Sequence, residues 1–210
     1  MHESRNAGDD LDWLPSKLYL IDRAPRLIEA WRNAFSLFSE VEPIQGDYFQ
    51  KSAHAIVSPA NSFGIMDGGL DLAIRDKLGY VVQGMIQEVI LEKHHGELPV
   101  GAAEIVRINS EHWKFIIAAP TMRVPEFVSN SLNAYLAFRA ILVAVENFNR
   151  KAGSREIDSL VCCGLGAGVG GMDPVRCAGQ MMLAYKSMIL PAVIGRFESI
   201  HTFHRALRAT

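Results

Sequence analysis

Short apolar runs alternate with longer segments of helical spacing along this chain, and no other feature constrains its fold as strongly. The runs are LYLID at 18–22, a short one at 41–44, HAIVSPA at 54–60, one within LPVGAAEIVRI at 98–108, which contains a turn and a strand, FIIAAP at 115–120 and the start of SLVCCGLG at 159–166. After Pro25, Leu27, Ile28, Trp31, Ala34, Phe35 and Phe38 recur at three- and four-residue intervals, which is the pattern of a helix with one apolar face. Tyr135, Leu136, Phe138, Ile141, Leu142, Val145 and Phe148 repeat that pattern across 132–148. Further helices are expected at 70–79, closed by Gly79, and at 81–94. Two more are expected from the Asp173 cap and Pro174 to about residue 190, and over 196–210. Strands that are apolar throughout are buried on both faces, so helices must cover both sides of the sheet. The alternation therefore predicts an α/β protein: a three-layer α/β/α sandwich around a central mixed, mostly parallel sheet.

The 210 residues suffice for one domain, and 49% apolar with 21% charged residues excludes general disorder. The expected organisation is a flexible arm at 1–16, a domain at 17–195 and a C-terminal helical extension at 196–210. A net charge of −2 excludes a broad electrostatic grip on duplex nucleic acid and leaves only a local basic patch open. Three cysteines, Cys162, Cys163 and Cys177, cannot all pair within one chain, and the first two are adjacent. This usage predicts a reducing, cytoplasmic setting. The opening MHESRNAGDDLDW is polar and acidic, unlike a signal peptide. The longest apolar stretch, 181–194, is interrupted by Lys186 and Pro191, so no membrane span is expected. The sequence does not indicate an oligomeric state.

Two of the strands run into glycine-rich loops that lead to helices: NSFGIMDGG at 61–69 and GLGAGVGG at 164–171. In open α/β sheets, ligands bind beyond the carboxyl ends of strands, where glycine allows close backbone approach. Helix N-termini and exposed N–H groups there hold anions, above all phosphates. Two such loops facing one crevice would clamp a diphosphate from both sides. Neither loop ends in the Gly-Lys-Ser/Thr of a Walker loop. GLGAGVGG is one residue longer than a dinucleotide fingerprint and lies late in the chain, so a Rossmann dehydrogenase is not expected.

The first loop carries the more specific pattern. IVSPANSFGIMDGGLDLAI resembles the signature of the macro domain, an ADP-ribose-binding module. The resemblance extends over about residues 41–190, through Gly46-Asp47, LPVGAAEIV, FIIAAP and CCGLGAGVGGMDP in the family's order. It implies a ligand, ADP-ribose or a related NAD-derived nucleotide, and a reaction, hydrolysis of ADP-ribosyl linkages on a modified macromolecule. The implied alternative is a module that senses the nucleotide without turnover. A third reading is a platform for a nucleic-acid partner. The resemblance implies neither a metal nor a cofactor.

Residue by residue, Asp47 resembles the acid that accepts from the adenine amino group, and Tyr48 adjoins it in the expected binding set. Asn61 resembles the asparagine near the distal ribose. Gly68, Gly69 and Leu70 resemble the backbone segment on the diphosphate, and Asp71 the aspartate that hydrolytic members place next. Gly166, Ala167, Gly168, Val169 and Gly170 resemble the opposite phosphate loop. This chain departs from the family at Ser58, where a second asparagine is usual, and at Met66 and Asp67, where glycines are usual. It also has Gly170 in place of an aromatic residue over the distal ribose, and Phe63 is considered as a substitute ring.

In the implied reaction, Asp71 would orient or deprotonate a water and offset positive charge at the anomeric carbon. Asn61 would fix ribose hydroxyls or that water. Taken singly, these residues have plainer readings: Asp71 as a first-turn helix acid, Asn61 and Asp47 as turn residues, and Asp67 as a solvated loop acid. Cys163 reads as buried packing rather than a nucleophile. His54 reads as strand packing, His94 and His95 as a helix end, and Met181, Met182 and Met188 as core. The tail, with Arg196, Arg205 and Arg208 among Phe197, His201 and Phe203, reads as a solvated helix face.

Overall fold

The computed structural model describes residues 13–210. Residues 1–12 of the expected arm lie outside the described residues. Residues 13–16, expected within that arm, are fixed on the body. Leu14 is buried in the core, the Asn149 side-chain amide donates to the Trp13 carbonyl at 2.9 Å, and the Ser16 hydroxyl donates to the Asp158 carboxylate at 2.9 Å.

The elements follow the predicted alternation: β1 (Lys17–Asp22), α1 (Pro25–Ala34), β2 (Val41–Gln45), β3 (Ala55–Ser58), α2 (Gly69–Leu78), α3 (Val81–His94), β4 (Glu104–Arg107), β5 (Phe115–Ala118), α4 (Asn133–Ala152), β6 (Ser159–Cys162), α5 (Pro174–Ile189) and α6 (Phe197–Ala209). Local chemistry sets several boundaries. Pro25 occupies the first turn of α1. Asp173 caps α5 by accepting the Val175 N–H at 2.9 Å. Gly79, at φ 93°, separates α2 from α3 in a conformation that only glycine adopts easily.

The sheet order is β2-β1-β6-β3-β5-β4, parallel throughout except for β4, which runs antiparallel to β5. Helices α1, α5 and α4 pack side by side as one layer, and α2 and α3 form the other. Strands β3 and β5 are buried along their whole length, as doubly covered parallel strands must be. Among the described residues no helix is long and apolar enough to cross a membrane.

Two strands separate at the place where the chain reverses its direction of winding. From β1 the chain passes outward to β2, whereas from β3 it passes the other way, to β4 at the far edge and then β5, and it returns between β1 and β3 as β6. Strands β3 and β6 pair only at Ala55 with Leu160 and at Ile56 with Val161. Beyond that point the Tyr48 hydroxyl sits between them, 2.7 Å from the Val57 carbonyl and 3.2 Å from the Val161 carbonyl. The apolar run at 54–60 leaves the ladder at Pro59, which has no N–H to contribute. A crevice at the carboxyl ends of β3 and β6 results, where open α/β sheets bind their ligands.

Candidate functional site

Three loops surround this crevice. They follow β3 (59–68), β6 (163–173) and β5 (119–132). The β5 loop is stitched to both others. Asn61 and Met122 form a parallel bridge, the Ser62 N–H donates to the Arg123 carbonyl at 3.1 Å, and the Val128 N–H donates to the Gly170 carbonyl at 2.8 Å. The two glycine loops meet at Gly69 and Val169: a Cβ on Gly69 would lie 3.8 Å from a Val169 methyl group. The sequence-predicted loops are thus brought together, and a third wall joins them.

Gly68, Gly69, Leu70 and Asp71 open α2, and their N–H groups are the orphan donors of a helix start. Gly68 and Gly69 are exposed, with Gly69 at φ 56°. In the facing loop, turns close through the Ala167 N–H to Gly164, the Gly171 N–H to Gly168 and the Met172 N–H to Gly166. The N–H groups of Gly168, Val169 and Gly170 have no protein acceptor among the described residues. Gly168 and Val169 are exposed. Two sets of unpaired backbone donors therefore lie on loops that meet at Gly69 and Val169, an arrangement suited to an anion. Gly170 is confined: a Cβ there would lie 2.5 Å from a Val128 methyl carbon and 2.6 Å from the Gly166 carbonyl oxygen. No larger side chain fits at that position.

Asp71 stands in the first turn of α2, half-buried, and its Oδ1 accepts the Ser58 hydroxyl at 2.6 Å. Ser58 is fully buried at the end of β3. Loss of water raises the Asp71 carboxyl to about 6, against the opposing pull of the Ser58 hydrogen bond. An acid that ionises close to neutrality is suited to taking or giving a proton.

Other predicted residues have more structural positions. Asn61 uses both ends of its amide within its own loop: Nδ2 donates to the Ile65 carbonyl at 2.7 Å, and Oδ1 accepts the N–H groups of Phe63 at 3.1 Å and Ile65 at 3.2 Å. Phe63 is half-buried, with the Arg123 guanidinium 5.1 Å from its ring centre, and Arg123 makes a two-pronged pair with Glu97. One face of its ring is therefore engaged by Arg123. Met66 is buried, and its N–H donates to the Gln83 side chain at 2.9 Å, so the departure at this position anchors the loop in the core. Asp67 is exposed. Leu70 packs against the core edge.

Asp47 is half-buried, with its carboxylate at the surface and paired with Arg23. The Phe49 N–H and the Arg23 guanidinium hold its carboxyl below the ordinary carboxylate value. Tyr48 is turned inward, its hydroxyl spent on the β3 and β6 carbonyls, and burial pushes its phenol well up. Its side chain shapes the crevice from beneath and does not line it. Adjacent residues alternate between solvent and core here, which separates Asp47 from Tyr48.

The remaining chemically active side chains lie elsewhere. All three cysteines are free and buried, and burial raises their thiols, Cys177 to about 12. Such thiols are poor nucleophiles. His94 contacts Glu104 at 2.7 Å, and His95 forms the left-handed cap of α3. His54 contacts the Ser159 hydroxyl at 2.8 Å. In the tail, Phe203 packs on Tyr135 with ring centres 5.8 Å apart and Leu207 is buried, so α6 is docked against α4 and α5.

In the sequence Ser58 stands out only as a departure from the family pattern, and the β5 loop carries no motif. The available signal was position: a long segment, TMRVPEFVSNS, follows a buried parallel strand at its carboxyl end.

A family model described as Macro domain matches residues 57–181. An uncharacterized protein of Aeropyrum pernix is 35% identical over 66% of this chain and 67% of its own length. One of Aquifex aeolicus is 31% identical over 69% and 79%. Among solved structures, the macrodomain of Mycobacterium tuberculosis DarG aligns with a TM-score of 0.54 at 20% identity, covering 69% of this chain and 89% of that one. A mutant Oceanobacillus iheyensis macrodomain with ADPR aligns with a TM-score of 0.57 at 19% identity, covering 78% and 89%. Thermosipho africanus DarTG in complex with ADP-ribose aligns with a TM-score of 0.54 at 18% identity, covering 91% and 57%. At these identities the structures establish the shared fold.

Proposed function

From the premise that this chain belongs to the Macro domain family, matched over residues 57–181, we propose that it binds ADP-ribose and hydrolyses an ADP-ribosyl linkage on a modified macromolecule. One observation carries the reading. The unpaired N–H groups at the start of α2 and those of Gly168 and Val169 belong to two loops that meet at the Gly69–Val169 contact, and the Asp71 carboxyl stands in the same first turn of α2. The similar solved structures of a mutant Oceanobacillus iheyensis macrodomain with ADPR and of Thermosipho africanus DarTG in complex with ADP-ribose support the choice of ligand.

The diphosphate lies between the two donor sets, where backbone dipoles offset its charge at no reorganisation cost. The adenine end lies toward Asp47 and Arg23 at the β1–β2 side, and the distal ribose toward the β5 loop. Asp71, ionised, takes a proton from a water that attacks the anomeric carbon. The new carbon–oxygen bond forms as the bond to the macromolecule breaks, the leaving group takes a proton from solvent, and Asp71 returns to solvent the proton it took from the water. The carboxylate also stabilises positive charge on the ribose in the transition state. Ser58 holds the carboxyl in place from the sheet side.

Residues 17–195 form the unit that carries this activity, and 196–210 its extension. The three free cysteines support a reducing, cytoplasmic setting.

Calorimetric titration with ADP-ribose tests the binding step, and Asp71→Asn in a hydrolysis assay tests the chemistry. Saturable binding is expected in both proteins, with turnover lost in the variant. Turnover in the parent should rise with pH through about 6 as Asp71 ionises. A parent chain that fails to saturate at millimolar ADP-ribose refutes the ligand. Undiminished turnover by the variant refutes the mechanism. The internal engagement of the Asn61 amide favours a second reading, binding without turnover. Binding by the parent with no hydrolysis at any pH selects it.

A further inference from the structure

Phe127 is 85% exposed although it lies in a loop tied down on both sides. Its ring touches the second glycine loop: a Cβ on Gly171 would come within 2.9 Å of Phe127 Cδ1. The next residue, Val128, donates its N–H to the Gly170 carbonyl, and the Ser131 hydroxyl closes the turn on the Val128 carbonyl at 2.7 Å. The backbone under the ring is therefore fixed while the ring itself stands in water. Val124, at 42% exposed, belongs to the same loop, and Val169, at 59%, to the facing one. Leaving such a ring in water forgoes the gain of burying it, and so large an exposed apolar side chain beside a crevice is suited to covering a ligand.

The topology gives the portion of ligand it would cover. The carboxyl ends of the parallel strands lie side by side in the order β2, β1, β6, β3, β5, with the crevice at β6 and β3. Asp47 follows β2 at one end, the two donor loops follow β6 and β3 in the middle, and Phe127 follows β5 at the other end. A nucleotide with its base toward Asp47 and its diphosphate on the donor loops places whatever lies beyond the diphosphate beside Phe127. Gly170 has no room for a side chain, and Phe63 is half-buried with Arg123 on its ring, whereas the Phe127 ring stands in solvent.

We infer that Phe127 is a specificity-determining residue that covers the distal ribose of the bound nucleotide and distinguishes ADP-ribose from ADP. This rests on the proposed binding of ADP-ribose. A preorganised aromatic ring with few rotatable bonds supplies contact area at small entropic cost.

Titration of the parent chain, Phe127→Ala and Phe127→Tyr with ADP-ribose and with ADP tests the assignment. The alanine variant should bind ADP-ribose at least about tenfold more weakly while its affinity for ADP stays within about twofold, because ADP lacks the covered group. The tyrosine variant, which keeps the ring, should restore ADP-ribose binding. Equal weakening for both ligands, or no weakening for either, overturns the assignment while leaving the ligand intact. A parent chain that binds neither nucleotide overturns the ligand and this inference with it. Unchanged circular dichroism and melting temperature of the alanine variant keep the comparison free of folding effects.

Discussion

Replacing Asp71 by Asn should stabilise the protein, and only above a definite pH. The carboxyl ionises at 3.8 in its ordinary state and at about 6 in the folded chain. Between those values the folded protein keeps a proton that the unfolded chain has released, so stability falls as pH rises through the window. At 1.36 kcal/mol for each pH unit, the full fall is about 3 kcal/mol. Its cause is the loss of water around a carboxylate for which Ser58 supplies a single hydrogen bond. Asparagine presents the same Oδ1 to that hydroxyl and carries no charge. The variant should therefore match its parent at about pH 4 and exceed it by ~1–3 kcal/mol at about pH 8. The lower part of that range applies to the extent that solvent reaches the half-buried carboxylate. Urea denaturation of both proteins across this pH range measures the effect, because the difference between the two curves cancels every other titrating group. A stability difference that does not change with pH would refute the reasoning, and a variant less stable at about pH 8 than its parent would refute its sign.

Two other substitutions test how the crevice is built. Tyr48→Phe removes the hydroxyl shared between the Val57 and Val161 carbonyls, and should cost ~1–3 kcal/mol in urea denaturation, the penalty of leaving buried acceptors unpaired. Because the ring faces the core, ADP-ribose affinity should stay within about twofold, and a larger loss would return Tyr48 to the ligand. Gly170→Ala places a methyl group 2.6 Å from the Gly166 carbonyl oxygen and 2.5 Å from Val128. The Gly166 oxygen belongs to the backbone and cannot rotate aside, so a loss of ~1–3 kcal/mol is expected, together with weaker nucleotide binding as the donor loop is displaced. A variant with parental melting temperature and affinity would show that this loop tolerates the added methyl group.

The sequence by itself determined what is local. Apolar runs and helical spacing set the order of strands and helices, because a residue's position on a pleat or a helical face depends only on its neighbours in the chain. Pro25, Gly79 and Asp173 mark their boundaries for the same reason: restricted φ, tolerance of positive φ and a capping oxygen all act within a few residues. The glycine loops and Asp71 were legible because they carry a family pattern along one continuous stretch. Contacts between segments decided the rest. Tyr48 and Asp47 are adjacent in sequence, yet one reaches Val161, 113 residues away, and the other faces solvent beside Arg23. Asn61 has the composition of a ligand contact, and only the fold of its loop shows the amide already engaged at Phe63 and Ile65. Ser58 looks like a lost asparagine until α2 brings Asp71 within 2.6 Å of it. Phe127 gives no periodic signal, and its place at the crevice depends on the Val128–Gly170 hydrogen bond between loops that follow different strands. Pattern in sequence records which face a side chain takes. Which partner waits on that face is set by packing between segments distant in the chain, and here that packing decided which of the polar residues remained free to meet a ligand.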